Sequence, residues 1–493
     1  MAFQISPGVN VSEVDLTTVV PSILTTAGAF AGGFVWGPVN KRITVDSEIT
    51  LAKTFGQPNS NTSSSFFTAA SFLAYGNNLQ VVRAANTSSL NASANEGSGG
   101  YIQITNEDVF EAEYLTGGAG LTSGPVFARY PGSLGNTLVV SLIDFAGNFP
   151  TWNVNGVGVS SYFTGAPGTS AQATAVGAVH DELHIVVVDQ YGLFSGVKNS
   201  VLEVFPYVSK ATDAIDSLGN SNYYKNVIFN KSKYVYMVDF HSGWDVPMAN
   251  TTFTTSGVID WKLDGGTDNA VSTAALQTAY SLFANSDETN VSLVLTGDAS
   301  VTIQQYVIDN IVNSRKDCVA FVSPPSSAVV NNIGNETSSI LSWNTSLARS
   351  TSYAVADSGW KYMFDKYNNV YRWVPLNGDI AGLCVYTDSV RDPWFSPAGF
   401  NRGNLKNVVK LAWNPKKTDR DSLYSVGINP VGTFPGNGTV LYGDKTLQSK
   451  PSAFDRINVR RLFIILEKKL LKLPNILCLN SMMNLHVLSL QHS

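Results

Sequence analysis

The sequence predicts a multidomain α+β / α/β protein with a mixed-sheet core, an inserted β-rich domain and a C-terminal α+β domain. Three observations carry the prediction. Strand-like and helix-like runs alternate through residues 21–90 and again through 256–388, as βαβ units on a parallel sheet do. The stretch 91–255 between them consists of short β-type runs broken by turn residues. At 493 residues the chain exceeds one ordinary domain, and 44% apolar content is enough for several cores.

Residues 1–20 alternate apolar and polar, as in "GVNVSEVDLTTVV", and read as an extended arm or edge strand. "AGAFAGGFVWGPVN" is an apolar strand stopped at Gly37-Pro38. In "SSSFFTAASFLAYGNN" serines cap a short helix whose apolar face holds Phe66, Phe67, Ala70 and Leu73, with Gly76 at its end. "LQVVRAAN" is the next strand. "TSSLNASANEGSGG" is a loop, followed by the strands of "NTLVVSLIDF", "ELHIVVVDQYGLFSGVKN" and "YVYMVDF". "HIVVVDQ" barely alternates, which predicts a strand buried on both faces. "STAALQTAYSLFAN" then predicts a helix, "NVSLVLTG" a strand, "VTIQQYVIDNIVNSRKD" an amphipathic helix, and "CVAFVSPP" a strand closed by Pro324-Pro325. "KYMFDKYNNVYRWVPLNGDIAGL" is aromatic and Asn-rich, and Tyr367, Tyr371 and Trp373 are expected in a core or at a domain junction. The region 389–468 contains "SPAGFNRG", an expected helix near 405–413, and "FDRINVRRLF". On a helix Arg456 and Arg460 share a face, with Arg461 beside them, and all three read as ion-pair donors within the domain or at an interface.

Charged residues are only 14% of the chain, against a usual quarter, and Ser, Thr, Asn and Gly fill the difference. The net charge of −5 argues against a general binder of nucleic acid or anionic membrane. Cys318, Cys384 and Cys478 are far apart and odd in number, so buried free thiols are expected rather than disulfides or a zinc site. No apolar run reaches the ~18 residues that a membrane span needs. The N-terminus lacks the basic and long apolar regions of a secretory signal, so folding in a cytosol is expected.

Chemistry is hard to find. The turn after "LVL" reads "TGDASVT", which is no Gly-rich phosphate cradle. His180 and His184 would sit on one face of a strand roughly 13 Å apart, too far for one metal. Asp365 and Asp379 read as turn caps and salt-bridge acceptors beside Lys366 and Arg372. His241 and Cys318 have no local partners for nucleophilic catalysis. No catalytic, cofactor-binding or metal residue is therefore expected.

Several stretches, in order, resemble the sheath proteins of contractile-tailed bacteriophages. "SPGVNVSEVD", running from Ser6, Pro7, Gly8 and Val9 through Val11, is similar to their characteristic start. "GGFVWGPVN", "LAKTFGQPNS" and "FLAYGNNLQVVRAAN" continue it. Downstream, "DKYNNVYRWVPLNGDIAGLCVYTD", "PWFSPAGFNRG" and "VLYGDKTLQSKPSAFDRINVRRLF" resemble the T-even-like branch. The likeness is good over 1–90 and 256–468 and general over 91–255. It implies an α/β sheath core (21–90 and 256–388), a protruding inserted domain (91–255) and a C-terminal assembly domain (389–468). It also implies a metastable subunit of stacked hexameric rings around a tail tube, built in the host cytoplasm. Contraction would drive the tube through the host envelope with no cofactor. The implied partners are further copies of the chain, linked by exchanged terminal strands, and tail-tube, baseplate and tail-terminator proteins. Neither nucleic-acid binding nor direct membrane insertion is implied. The alternating arm suits strand addition to a neighbour, so Ser6, Pro7, Gly8, Val9, Val11, Arg456, Arg460 and Arg461 are the expected inter-subunit residues. A sheath from a non-phage contractile injection system is a narrower alternative. A surface-layer or adhesin-like protein fits the composition but lacks a secretion signal and tandem repeats.

The tail from 469 to 493 departs from this pattern. Between Lys468 and Ser493 lie eight leucines and no Gly, Asp, Glu, Phe or Tyr. The family continues with a "KY-x-LFE-x-N-x-x-FTR" stretch that is absent here. Read one base late, Met482-Met483-Asn484 must encode Asp-Glu, because Met has a single codon. Permissive codons elsewhere turn the tail into "KYSLFEFNDEFTR". The tail is therefore expected to be out-of-frame translation after a one-base slip near Lys468, leaving the assembly domain incomplete.

Overall fold

In the computed structural model the described residues are 26–94, 100–115, 124–238 and 241–470. Ser6, Pro7, Gly8, Val9 and Val11 lie outside them, as does the tail from 471.

The described chain enters directly into a central strand, β1 (Gly28–Gly32), and passes to β2 (Arg42–Val45). Helix α1 (Glu48–Phe55) follows, started by Ser47, whose side chain accepts the Thr50 N–H. Then come α2 (Ser63–Leu73) and β3 (Leu79–Arg83).

The chain next builds a separate antiparallel layer. Its elements are β4 (Val126–Ala128), β5 (Leu138–Ile143), β6 (Glu182–Asp189), β7 (Ser200–Ser209), α3 (Tyr224–Lys231), β8 (Val235–Met237) and β9 (Val258–Lys262). The main sheet runs β9-β5-β6-β7, and β4 pairs with β8. Strand β6 is buried on both sides, as its poor alternation implies. Leu183, Ile185 and Val187 meet α3 and Trp261, while Val186 and Val188 meet Trp152. The layer extends past residue 255, because Trp261 of β9 seals the same core.

The parallel sheet then resumes. Its elements are α4 (Thr273–Ser281), β10 (Leu293–Leu295), α5 (Val301–Tyr306), β11 (Val319–Val322), α6 (Glu336–Leu347) and β12 (Ala354–Asp357). Helix α5 continues through a π-type segment, Val307–Val312, to Arg315. A hairpin, β13 (Trp360–Asp365) and β14 (Val370–Pro375), leads to α7 (Asn377–Val390). The last elements are β15 (Lys410–Leu411), α8 (Lys417–Ser425), β16 (Ile428–Asn429), β17 (Val431–Phe434), β18 (Gly438–Leu441) and α9 over 457–470. The central sheet has the order β16-β12-β11-β10-β1-β3-β2, parallel except for β2.

The two faces of this sheet differ in bulk. One carries Phe30, Leu79, Val81, Leu293, Leu295, Phe321 and Val355 against α2 and α7. The other carries Ala29, Ala31, Ala320, Ala354 and Ala356 against α4, α5 and α6. Small residues there let the helices sit close, and Tyr280, Ile308 and Trp343 supply the volume from the helix side.

Two expectations need correction. Residues 405–413 form no helix: Lys410 and Leu411 pair with Tyr362 and Lys361 as a third strand. Asn407 takes a left-handed φ of 54°, which interrupts any helix, and the β-branched Val408 and Val409 favour extended backbone. Tyr371 is not a core residue, being 52% exposed, whereas Tyr367 packs edge-on to Phe66 and Trp373 is half-buried.

Cys318 and Cys384 are fully buried free thiols, and burial pushes each up to about 12. A short iodoacetamide pulse on the native protein is therefore expected to leave both unlabelled, and a pulse in denaturant to label both. Peptide mass spectrometry reads the difference. Labelling of Cys384 in the native state would contradict the packing of α7 on the sheet.

Candidate functional site

Buried charge concentrates where the C-terminal region joins the central sheet. At the carboxyl end of β12, Asp357 accepts hydrogen bonds from Ser323 Oγ at 2.6 Å and from the Gly359 N–H at 2.9 Å. No cation pairs with it among the described residues, and burial pushes its carboxyl up to about 8. Asn377 at the start of α7 donates to Ser323 Oγ and to the Gly297 carbonyl, and accepts the Gly297 N–H. One polar knot thus joins β10, β11, β12 and α7. Beside it, Lys361 Nζ lies 2.9 and 2.8 Å from the two carboxylate oxygens of Asp379, both residues being buried. Burial raises the Asp379 carboxyl, against the pull of Lys361 and of Tyr75, whose hydroxyl lies 3.2 Å away.

These carboxyls set a pH dependence. In the folded state Asp357 keeps its proton up to about pH 8, while in the unfolded chain it releases it near its ordinary value of 3.8. Across that window the unfolded chain binds fewer protons, so stability falls as pH rises, by at most about 1.4 kcal/mol per pH unit from this group. Asp357→Asn keeps one acceptor oxygen at the site, for the Gly359 N–H, and removes the group that can ionise. It is expected to flatten the urea-unfolding profile between pH 5 and 8 and to raise stability most at pH 8. An unchanged profile would mean that Asp357 is already ionised in the folded protein.

The three expected arginines lie in the same region. Arg456 sits one residue before α9, bridged to Lys445. Its guanidinium lies 2.5 Å from Asp444 and also meets the Tyr424 hydroxyl. It therefore does not share a helix face with Arg460. Arg460 donates to Ser352 Oγ at 2.9 Å and is sandwiched between the Tyr353 and Phe454 rings, at 4.2 and 4.1 Å. Arg461 makes a two-pronged pair with Asp388, at 2.8 and 2.6 Å. Together they fasten α9 to the loop before β12, to the end of α7 and to the strand region near 444. At the far end of α9, Lys468 reaches the Val291 carbonyl at 3.3 Å and Asp317 at 3.4 Å.

Asp365 and Asp379 do act as ion-pair acceptors. Asp365 caps the turn at Tyr367 and Asn368 and pairs with Arg372 at 2.7 Å, and Asp379 pairs with Lys361. His184 is packed flat on Phe163, with Nε2 2.9 Å from the Gly165 carbonyl. Among the described residues no group of three or more His, Cys, Asp or Glu is placed to hold a metal. Sequence reading missed Asp357 and Lys361. The signal was there in "DSGWKYMFD", where Lys361, Met363 and Asp365 alternate inward against aromatic neighbours.

A family model described as the phage tail sheath protein central domain matches residues 265–447, which span α4 to the strands after α8. The tail sheath protein of Vibrio phage KVP40 is 30% identical, over 94% of this chain and 86% of its own length. This chain belongs to the phage tail sheath proteins. The tail sheath protein of Enterobacteria phage T4 is also 30% identical, over 94% of this chain and 85% of that protein. A crystal structure of a sheath tail protein from Listeria innocua has the same fold, with a TM-score of 0.51 at 10% identity. It covers 90% of this chain and 75% of that one. As a tail sheath protein, the chain is a structural component of the phage tail.

Proposed function

We propose that this chain is the repeating subunit of a contractile sheath, assembled in the host cytoplasm as stacked hexameric rings around a tail tube. Relaxation to a shorter, wider lattice drives the tube through the host envelope. Baseplate and tail-terminator proteins bound the polymer, and no cofactor or catalysis is involved. The likeness to two tail sheath proteins along nearly the whole chain carries this reading. The described body supports it. Several of its buried charges are paired inside the subunit, Lys361 with Asp379 and Arg461 with Asp388 among them, so packing against a neighbour can change without breaking those pairs. Ser6 to Val11 of the arm would add as a strand to a neighbour's sheet. Of the three arginines, Arg456 keeps 43% of its side chain exposed, which supports it as the one that would reach a neighbour. Arg460 and Arg461 would act by stiffening the domain.

The tail from 469 is proposed to be out-of-frame. The packing of Lys468 supports a boundary at or after that residue, since its amine is seated on Asp317 and the strand ends. The test is electron microscopy of the frame-restored chain: tubes with six-fold symmetry are expected, and amorphous aggregates would refute the reading.

A further inference from the structure

Lys210–Asp144 and Lys361–Asp379 are both lysine–aspartate pairs with essentially no exposed side-chain surface. They differ in how well the charged forms are satisfied. Lys210 Nζ lies 2.9 Å from Asp144 and also donates to the His180 and Thr254 carbonyls, at 2.9 Å each. Its three N–H groups thus all have acceptors. Asp144 accepts in addition from the Ser256 and Gly257 N–H groups. Each partner is held in its ionic form, and the pair stays an ion pair.

Lys361 and Asp379 are built otherwise. Nζ lies 2.9 Å from Oδ1 and 2.8 Å from Oδ2, yet only the first contact is a hydrogen bond. Oδ2 is buried and has no hydrogen-bond partner, despite the amine beside it. An amine this close to both oxygens has its nitrogen about 3 Å from the carboxyl carbon, the separation of a near-attack pair. The other contact of Nζ, to the Lys406 carbonyl, is a long 3.2 Å. Burial raises the Asp379 carboxyl, so moving a proton within the pair, to give amine and carboxylic acid, is easier here than in water. The Tyr75 hydroxyl lies 3.2 Å from Oδ1 and is itself fixed by the Lys406 N–H at 2.7 Å. A donor is therefore already aimed at an oxygen on which charge would develop.

We propose that Lys361 and Asp379 condense to an amide, a covalent cross-link between β13 and α7 that the folded chain makes on itself. The ammonium first passes one proton to the carboxylate. The lone pair freed on Nζ attacks Cγ, while Tyr75 donates to Oδ1 as that oxygen takes up charge. The Cγ–Oδ2 bond then breaks. Oδ2 leaves as water, carrying the transferred proton and a second one from the nitrogen. One N–C bond forms and one C–O bond breaks, and the balance requires no oxidant or co-reactant. With both side chains buried, bulk water does not reach the amide to reverse the step. The reaction needs only the fold of the subunit and does not rest on the sheath reading.

The test is mass spectrometry of the full chain, first shown to be folded by the resistance of Cys384 to iodoacetamide, then incubated, unfolded and digested with trypsin. The expected result is a chain lighter than its sequence by one water, and a branched peptide that joins Lys361 to Asp379 and is uncut after Lys361. Asp379→Asn is expected to form the same bond with loss of one ammonia instead of one water, and Lys361→Met to lose nothing. Tyr75→Phe is expected to slow the appearance of the branched peptide about a hundredfold, and an unchanged rate would overturn the part given to Tyr75. Separate, unmodified Lys361 and Asp379 peptides from the folded chain would overturn the cross-link. A loss of water localised anywhere else, at Lys210 and Asp144 included, would overturn it equally.

Discussion

One base inserted at the Lys468 codon is expected to turn a chain that makes no ordered tube into one that does. The body of the subunit should fold in both cases, because its parallel sheet, its antiparallel layer and α9 up to Lys468 are complete in their own contacts. The proposed native continuation would supply a terminal strand, and a Leu-rich segment cannot replace the directional pairing of one. Each missing link recurs at every subunit, so the effect on a helical polymer is a change in kind. Negative-stain microscopy and sedimentation of the two chains, purified in parallel, measure it. Long tubes from the unaltered chain, or none from the restored chain, would overturn the out-of-frame assignment.

Gly378→Val is expected to be the most damaging single substitution in the body. At Gly378, α7 crosses α2 so closely that an added Cβ would lie 2.4 Å from the Thr68 carbonyl oxygen. One turn later, a Cβ at Gly382 would lie 2.4 Å from the Tyr75 ring. Backbone cannot step aside as a side chain can. The helices must separate, and with them part from Phe72, Ile380 and Cys384 in the shared core. Overpacking in a tight core costs about 1–3 kcal/mol, and a clash with backbone lies at or above the top of that range. Displacing Asn377 would also open the polar knot. Urea denaturation should show a clearly lowered midpoint, and Cys384 should become reactive to iodoacetamide. Gly158→Ala, with nothing within 4 Å of the added Cβ, is the matched control and should stay within about 0.5 kcal/mol. Equal effects at the two positions would refute the close crossing.

Periodicity in the sequence reached the architecture because the hydrophobic pattern there is decided locally. Helix α2 announced itself through Phe66, Phe67 and Ala70, and β6 through its unbroken apolar run. The failure at 405–413 has the opposite cause: those residues become a strand only because Tyr362 and Lys361, far back in the chain, offer an edge. Tyr371 shows a related limit. An aromatic residue in an alternating strand faces either way equally well, and only the position of α2 decides which face is covered. The arginine cluster was legible as residues but not as partners, since Asp388 and Tyr353 lie dozens of positions away and Asp444 lies across a turn from Arg456. The alternation in "DSGWKYMFD" pointed inward at Lys361 and Asp365, but the isolation of Asp357 from any cation is a property of the packed centre alone.

The described chain begins by running straight into β1, which lies mid-sheet with β10 on one side and β3 on the other, both parallel to it. A pull applied along the backbone at Ala27, in line with β1, would run down the strand axis. It loads two hydrogen-bonded ladders at once and in shear, so their bonds resist together. The same pull on an edge strand, applied across the ladder, would open the bonds one after another. A linkage of the proposed kind through this terminus would thus carry tension into the middle of the sheet.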